Sequence, residues 1–280
     1  MAIDKFIPAI WSAKLLLALQ KTLVYGQPAV VNRDYEGEIG NAGDTVKIHG
    51  FGAVSVFDYA KNGDMPPPET LTDEEMTLKI DQSKGFNFQI DDIDKAQQTP
   101  KIMGAAMADA AYRLADAADQ FIAAHYVHAG RQIGSDAAPT ALTKDNVYDI
   151  VVDMGTALTE KNVPKEGRFL ILPPWAYGLI LKDDRFTGTG GAGAETALAN
   201  GQVGRAAGFA VMESNNVPHD GGARYKILAG HRMAWSFADQ ISSVEAYRPE
   251  RRFGDAAKGL HVYGAKVVRP DALVCLTANK

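Results

Sequence analysis

The stretch Thr99–Gly130, TPKIMGAAMADAAYRLADAADQFIAAHYVHAG, decides the architecture. It reads as one long helix with both ends marked. Thr99 is placed to cap the first turn, and Pro100 occupies the first helical position, where its missing N–H costs nothing. Small or apolar residues recur at Ile102, Ala106, Ala110, Leu114, Ala117, Phe121 and Ile122 with a helical period. Asp109, Arg113, Asp116 and Gln120 fall largely on another face. Gly130 is placed to stop the helix in a left-handed turn. At about 1.5 Å per residue, such a helix is a rod of roughly 45 Å, longer than a compact domain needs. Its alanines admit other backbone closely. This is a spine rather than a catalytic scaffold.

Downstream, Arg131 to Thr140 is a polar connector, followed by a helix capped by Thr143 and running to about Lys161. Val147, Ile150, Val151, Met154 and Leu158 share one face of it. Arg168 to Leu172 reads as a short buried strand ended by Pro173-Pro174, and Trp175 to Lys182 as helical. Next come a glycine-rich loop, Thr187 to Ala194, and a short helix from Glu195 to Asn200. Strands are expected at Phe209–Met212, Tyr225–Ala229 and Met233–Phe237. The alternation implies a mixed α/β unit over about 141–240. The tail is mostly β, at Val244–Tyr247, Leu260–Val268 and Ala272–Thr277.

Upstream of the spine, Asp44 to Asp92 has period two. Val46 and Ile48, Val54 and Val56, Met76, Leu78 and Ile80, and Phe86, Phe88 and Ile90 each alternate with polar residues. Between them lies Lys61-Asn62-Gly63-Asp64, then Met65 and three prolines, which fix φ and remove donors. The expectation is a long hairpin with a stiff polar tip, needing a partner surface because an isolated hairpin is marginal in water. Residues 1–40 hold an apolar segment, Ile10 to Tyr25, then a polar stretch with little core of its own. Such an arm gains order only by lying against something else. Lys14 and Lys21 interrupt the apolar segment, which is too short to span a bilayer, and Asp4 precedes it. The expectation is a short helix docked on protein, in a chain neither secreted nor membrane-spanning.

At 280 residues, 46% hydrophobic and 22% charged, the chain has the composition of an ordinary globular protein with a real core. The net charge of −5 argues against a dedicated polyanion binder. The single cysteine, Cys275, sits in an apolar run and reads as a buried small hydrophobe.

Chemical motifs are weak. Gly188-Thr189-Gly190-Gly191-Ala192-Gly193 matches GxGxxG, but the clear upstream strand ends at Leu172 rather than at the glycines, and no second βαβ half follows. A surface loop is the simpler reading. His125 and His128 lie three apart without a completing carboxylate or cysteine pattern, so helix-surface or packed histidines are expected rather than a metal site. Asp91, Asp92 and Asp94 read as solvated charge before a helix N-terminus, and Asp73-Glu74-Glu75 as a solvated turn. Arg248, Arg251 and Arg252 suit phosphate or intersubunit ion pairs. No catalytic constellation stands out.

The order of parts resembles the tailed-phage major capsid proteins with the Hong Kong 97-like fold. Leu114–Ala123 is similar to the family's spine-helix text. Asn200–Val211 followed by Glu213–Pro218 is similar to a run of the domain around capsomer axes. The resemblance implies an α+β fold with four parts. These are an N-terminal arm (1–40), an extended E-loop hairpin (41–92), a peripheral domain with the spine (93–140 and 241–280) and an axial domain (141–240). It implies a non-enzymatic shell protein without cofactor or metal, forming pentamers and hexamers that enclose double-stranded DNA. Assembly would take place in the host cytoplasm and localisation would be to the virion. Implied partners are further copies, a separate scaffolding protein (since the arm begins almost at Met1), a portal, a decoration protein and weakly held DNA. Lys61, Asn62, Asp64, Arg248, Arg251 and Arg252 become candidate assembly contacts. Some relatives cross-link E-loop lysines to a neighbour's asparagine; Lys61 suits the tip, but no acceptor is identifiable. The alternatives are a cellular, encapsulin-like compartment shell and a nucleotide-binding oxidoreductase built on residues 188–193.

Overall fold

The computed structural model describes residues 23–34, 45–51, 56–59, 61, 64, 66–67, 73–91, 102–183, 204–251 and 253–280. Three strands, β1 (Thr45–Phe51), β2 (Asp73–Lys79) and β3 (Gln82–Asp91), precede the spine, α1 (Ile102–Ala123). After it come β4 (Arg131–Ile133), β5 (Thr140–Ala141), α2 (Val147–Glu160), β6 (Arg168–Leu172) and α3 (Pro174–Leu181). Then follow β7 (Arg205–Ala206), β8 (Phe209–Glu213), β9 (His219–Asp220) and β10 (Arg224–His231). Finally β11 (Trp235–Tyr247), β12 (Gly254–Val267) and β13 (Leu273–Asn279) end the chain.

The strands make three sheets. A mixed sheet runs β4-β13-β10-β6-β8-β7, with β5 beside β13 and β9 beside β10. A three-stranded antiparallel sheet runs β11-β12-β3, and among the described residues β1 pairs only with β2. The main core joins α1, α2, α3, the mixed sheet and residues of β11 and β12. β6 is buried at every position, and Phe169–Leu172 reads as an unbroken apolar run because both faces of the strand are covered.

The spine is shorter than expected. α1 ends at Ala123 and tightens into a 3-10 segment, Ala124–His128, where aromatic and β-branched side chains lose rotamer freedom in an α-helix. Thr99 and Pro100 lie outside the described residues. Gly130 takes no left-handed turn. Its N–H donates to the Pro270 carbonyl at 2.9 Å, and a Cβ there would sit 2.7 Å from Pro270 backbone atoms. The glycine permits a close crossing of backbones. At α2, the Asn146 side chain, not Thr143, ties the entry turn: its Oδ1 accepts from the Thr143 N–H at 2.7 Å and its Nδ2 donates to the Ala141 carbonyl at 2.9 Å. The expected strand at Met233 starts only at Trp235, because Arg232–Ala234 forms a 3-10 turn in which the His231 ring accepts from the Met233 N–H.

Two expectations for the hairpin change. Asp73, Glu74 and Glu75 are not a turn but the start of β2, opposite Phe51, Gly50 and His49. Val56 lies in no strand, and β3 leaves the hairpin to pair with β12 from Gly254↔Asp91 to Tyr263↔Gln82. Among the described residues the ribbon therefore consists of β1 and β2. Its base rests on this chain: Val46, Ile48, Leu78 and Ile80 pack with Ala238 and Val262 in a second, small core. Gly264 makes this possible, since a Cβ there would lie 2.1 Å from the Lys79 carbonyl oxygen. β11 spans the 240/241 position, and β13 sits in the mixed sheet between β10 and β4.

Candidate functional site

α1 turns Met107, Ala111, Leu114, Ala115, Ala118 and Ile122 into the core, and one acid shares that stripe. Asp119 is 1% exposed. Its Oδ2 accepts from the Val24 N–H at 2.7 Å, and its Oδ1 from the Tyr25 and Gly26 N–H groups at 3.1 and 3.2 Å. One carboxylate thus satisfies three successive donors of the N-terminal segment. Burial pushes its pKa up to about 6, against the pull of the three N–H groups and with a further push from Asp116.

Residues 23–34 are fixed at their other end too. The Trp235 indole donates to the Val30 carbonyl at 2.7 Å, stacks on Phe169 with centroids 5.8 Å apart and meets Tyr25 edge-on. Asn32 bridges Ser236: its N–H reaches the Trp235 carbonyl and its carbonyl accepts from the Phe237 N–H. The Arg33 guanidinium lies 5.5 Å over the Phe237 ring and pairs with Asp239, whose other oxygen is 3.0 Å from His261 Nε2. Leu23, Tyr25, Val30 and Val31 are buried. The arm's expected lack of core is thus corrected for these residues, and the surface they lie against is their own chain's.

The exposed ends face outward. Beyond the ribbon strands, Val56 is 96%, Phe57 49% and Tyr59 67% exposed. Lys61 and Asp64 are exposed near them, while Asn62 lies outside the described residues. At the end of the β11–β12 hairpin, Phe253 is 84% exposed. There Arg248 Nε stands 3.5 Å from Asp255 Oδ1, and Arg251 is exposed; Arg252 lies outside the described residues. The candidate contacts therefore belong to two different hairpin ends. Each joins charge to bare apolar surface, the composition of a docking patch rather than of a reaction centre.

A family model described as phage capsid protein matches residues 73–276. The chain belongs to the phage capsid protein family. A solved structure from Mycobacterium phage Che8 is 31% identical over 91% of this chain and 90% of its own, with a TM-score of 0.74. The capsid of cyanophage P-SCSP1u, 19% identical over 86% and 85% of the two chains, has a TM-score of 0.70. A virus-like particle from Pyrococcus furiosus, at 13% identity over 99% and 100%, has a TM-score of 0.58 and shares the fold alone. No curated protein matches. The chain is accordingly a major capsid protein with the Hong Kong 97-like fold, a structural component of the virion shell.

The other candidate chemistry of this capsid protein falls away or lies outside view. The glycine run 188–193 and the helix expected at 195–200 are outside the described residues. The strand-to-helix turn after β6 is Pro173-Pro174, which lacks the glycines that a pyrophosphate cradle needs. His125 Nδ1 is 3.0 Å from the Phe121 carbonyl and its ring packs edge-on to Phe121. Among the described residues no group of three metal-ligating side chains converges. Burial holds the Cys275 thiol at about 12, an inert neutral group. Sequence reading passed over Asp119, Arg33, Asp239, His261 and Trp235. Asp119 carried a signal: one residue after Ala118 and three before Ile122, it falls on the buried face of α1.

Proposed function

We propose that copies of this chain form pentamers and hexamers that close into an icosahedral head around double-stranded DNA, assembled in the host cytoplasm. The observation that carries this reading is the ribbon end. Val56, Phe57 and Tyr59 place three large apolar side chains in water beyond the last strand pair, on a protein of a shell-forming family. Burying them against a neighbour would contribute at most roughly 1.5–3 kcal/mol per side chain, and less at the half-buried Phe57, repeated symmetrically over every subunit. In this reading 41–92 is the E-loop, 1–40 the arm, 93–140 with 241–280 the peripheral domain, and 141–240 the axial domain. Lys61, Asp64, Arg248, Arg251 and Arg252 are charged contacts at the rims, and Asn62 is a polar one. Scaffolding, portal and decoration proteins complete the partners. The net charge of −5 suits a shell that holds DNA loosely, since strong counterion-releasing contacts would oppose its packaging and exit.

The test is expression of the full chain followed by sedimentation and negative-stain microscopy, with nucleic-acid content measured on particles from infected cells. Closed shells containing DNA are expected. A slowly sedimenting monomer at all concentrations contradicts assembly, and shells filled with protein cargo favour a cellular compartment.

A further inference from the structure

Where α2 ends and β6 begins, a cleft of about 550 Å³ is walled by Lys165, Glu166, Arg168, Arg205, His231 and Arg232. Four cationic residues and one acidic residue therefore line it, in a chain whose net charge is −5. Arg168 is the buried member. Its Nε donates to the Pro164 carbonyl at 2.9 Å and its Nη1 to the Gly155 carbonyl at 3.0 Å. Its Nη2 donates to Thr159 Oγ1 at 3.1 Å and to the Val163 carbonyl at 2.6 Å. Every acceptor is neutral. The guanidinium completes the C-terminal turn of α2, where a cation suits the helix dipole, and among the described residues no carboxylate pairs with it.

That capping role accounts for Arg168 alone. Lys165, Arg205 and Arg232 are exposed on the same wall, and among the described residues none has a carboxylate within ion-pair distance. His231 lies among these residues. Burial first, and then the Arg232, Arg168 and Arg269 guanidiniums, push its imidazole below the ordinary histidine range, while a hydrogen bond to the Glu166 backbone opposes them. Gly167, at φ +76°, brings that loop so close that a Cβ would lie 3.1 Å from His231 Nε2. The pocket's floor is thus fixed and its walls are cationic.

We infer that this cleft is a binding site for a phosphate-class oxyanion. Its four cations exceed its one carboxylate by more than a single carboxylate ligand neutralises, and forked guanidiniums suit a multiply charged tetrahedral anion. The site is independent of the shell reading, which stands whether or not the cleft binds anything.

The test is calorimetric titration of the full chain with inorganic pyrophosphate at fixed ionic strength, beside the double variant Arg205→Glu/Arg232→Glu. Both side chains are exposed, so the variant keeps its fold, checked by circular dichroism and by its melting temperature without ligand. Saturable binding that weakens about tenfold or more in the variant is expected. A short DNA duplex and succinate provide the other arms. Pyrophosphate binding without duplex binding identifies a free anion as the source. Binding of both, with the same loss in the variant, identifies backbone phosphate; either result supports the site. Absent saturation by pyrophosphate, equal binding by the variant, or succinate binding as tightly as pyrophosphate overturns the inference.

Discussion

Asp119→Ala removes the acceptor that Val24, Tyr25 and Gly26 share. Each buried N–H left without a partner costs about 1–3 kcal/mol, so the three together set a scale of roughly 3–9 kcal/mol. Part of that is offset, because the carboxylate is itself expensive to bury. The rise in its pKa from 3.8 to about 6 corresponds to about 3 kcal/mol once it is ionised. A net loss of about 3 kcal/mol is expected, spent on releasing residues 23–34 rather than on unfolding the mixed sheet. The same rise sets a pH dependence. With the folded pKa above the unfolded one, this group's stabilisation is fully present below 3.8 and fades as pH rises through about 6. Docking of the segment should therefore be tightest in acid and level off at neutral pH. Hydrogen exchange of the 23–34 amides, corrected for intrinsic rates, reads both effects. The wild type should lose protection between about pH 4 and pH 7, and the variant should show little protection and no such slope. Unchanged protection in Asp119→Ala, or wild-type protection that rises with pH, would refute the reasoning.

Other substitutions probe the same framework. Trp235→Ala empties a site 1% exposed between Phe169 and Tyr25 and orphans the Val30 carbonyl. Urea unfolding should show a loss of about 3–5 kcal/mol. Gly264→Val drives a side chain into the Lys79 carbonyl, 2.1 Å from where the Cβ would stand. It should lift the ribbon base from β12, cost about 1–3 kcal/mol or more and speed proteolysis within 45–79 while the β10–β13 pairing stays protected.

What was legible in the sequence was local and periodic. α1, α2 and the buried β6 announced themselves because many positions repeat one message over a long window. Ends were less legible, since caps depend on side chains that compete for the same donors: Asn146 took the place of Thr143, and a crossing strand of backbone, not a left-handed turn, explains Gly130. Pairing between distant segments was not legible at all. Nothing in Phe86-Asn87-Phe88 states that β3 leaves its hairpin for β12, nor does the Cys275 run state that it lies between β10 and β4. Within the arm, residues 23–34 differ from expectation for the same reason. Their stability comes from Asp119 and Trp235, about a hundred and two hundred residues away, and a local count of apolar residues cannot register them. The polar residues at the two hairpin ends were legible, at Lys61 and at Arg248 and Arg251, but the apolar side chains beside them, Phe57 and Phe253, emerged only with their exposure.

The central claim is that the ribbon end is finished by another copy of the chain. A cryo-electron microscopy reconstruction of assembled particles tests it most directly. The account predicts Val56, Phe57 and Tyr59 buried against the neighbouring subunit. Closed particles in which those three side chains remain bare to solvent would contradict it.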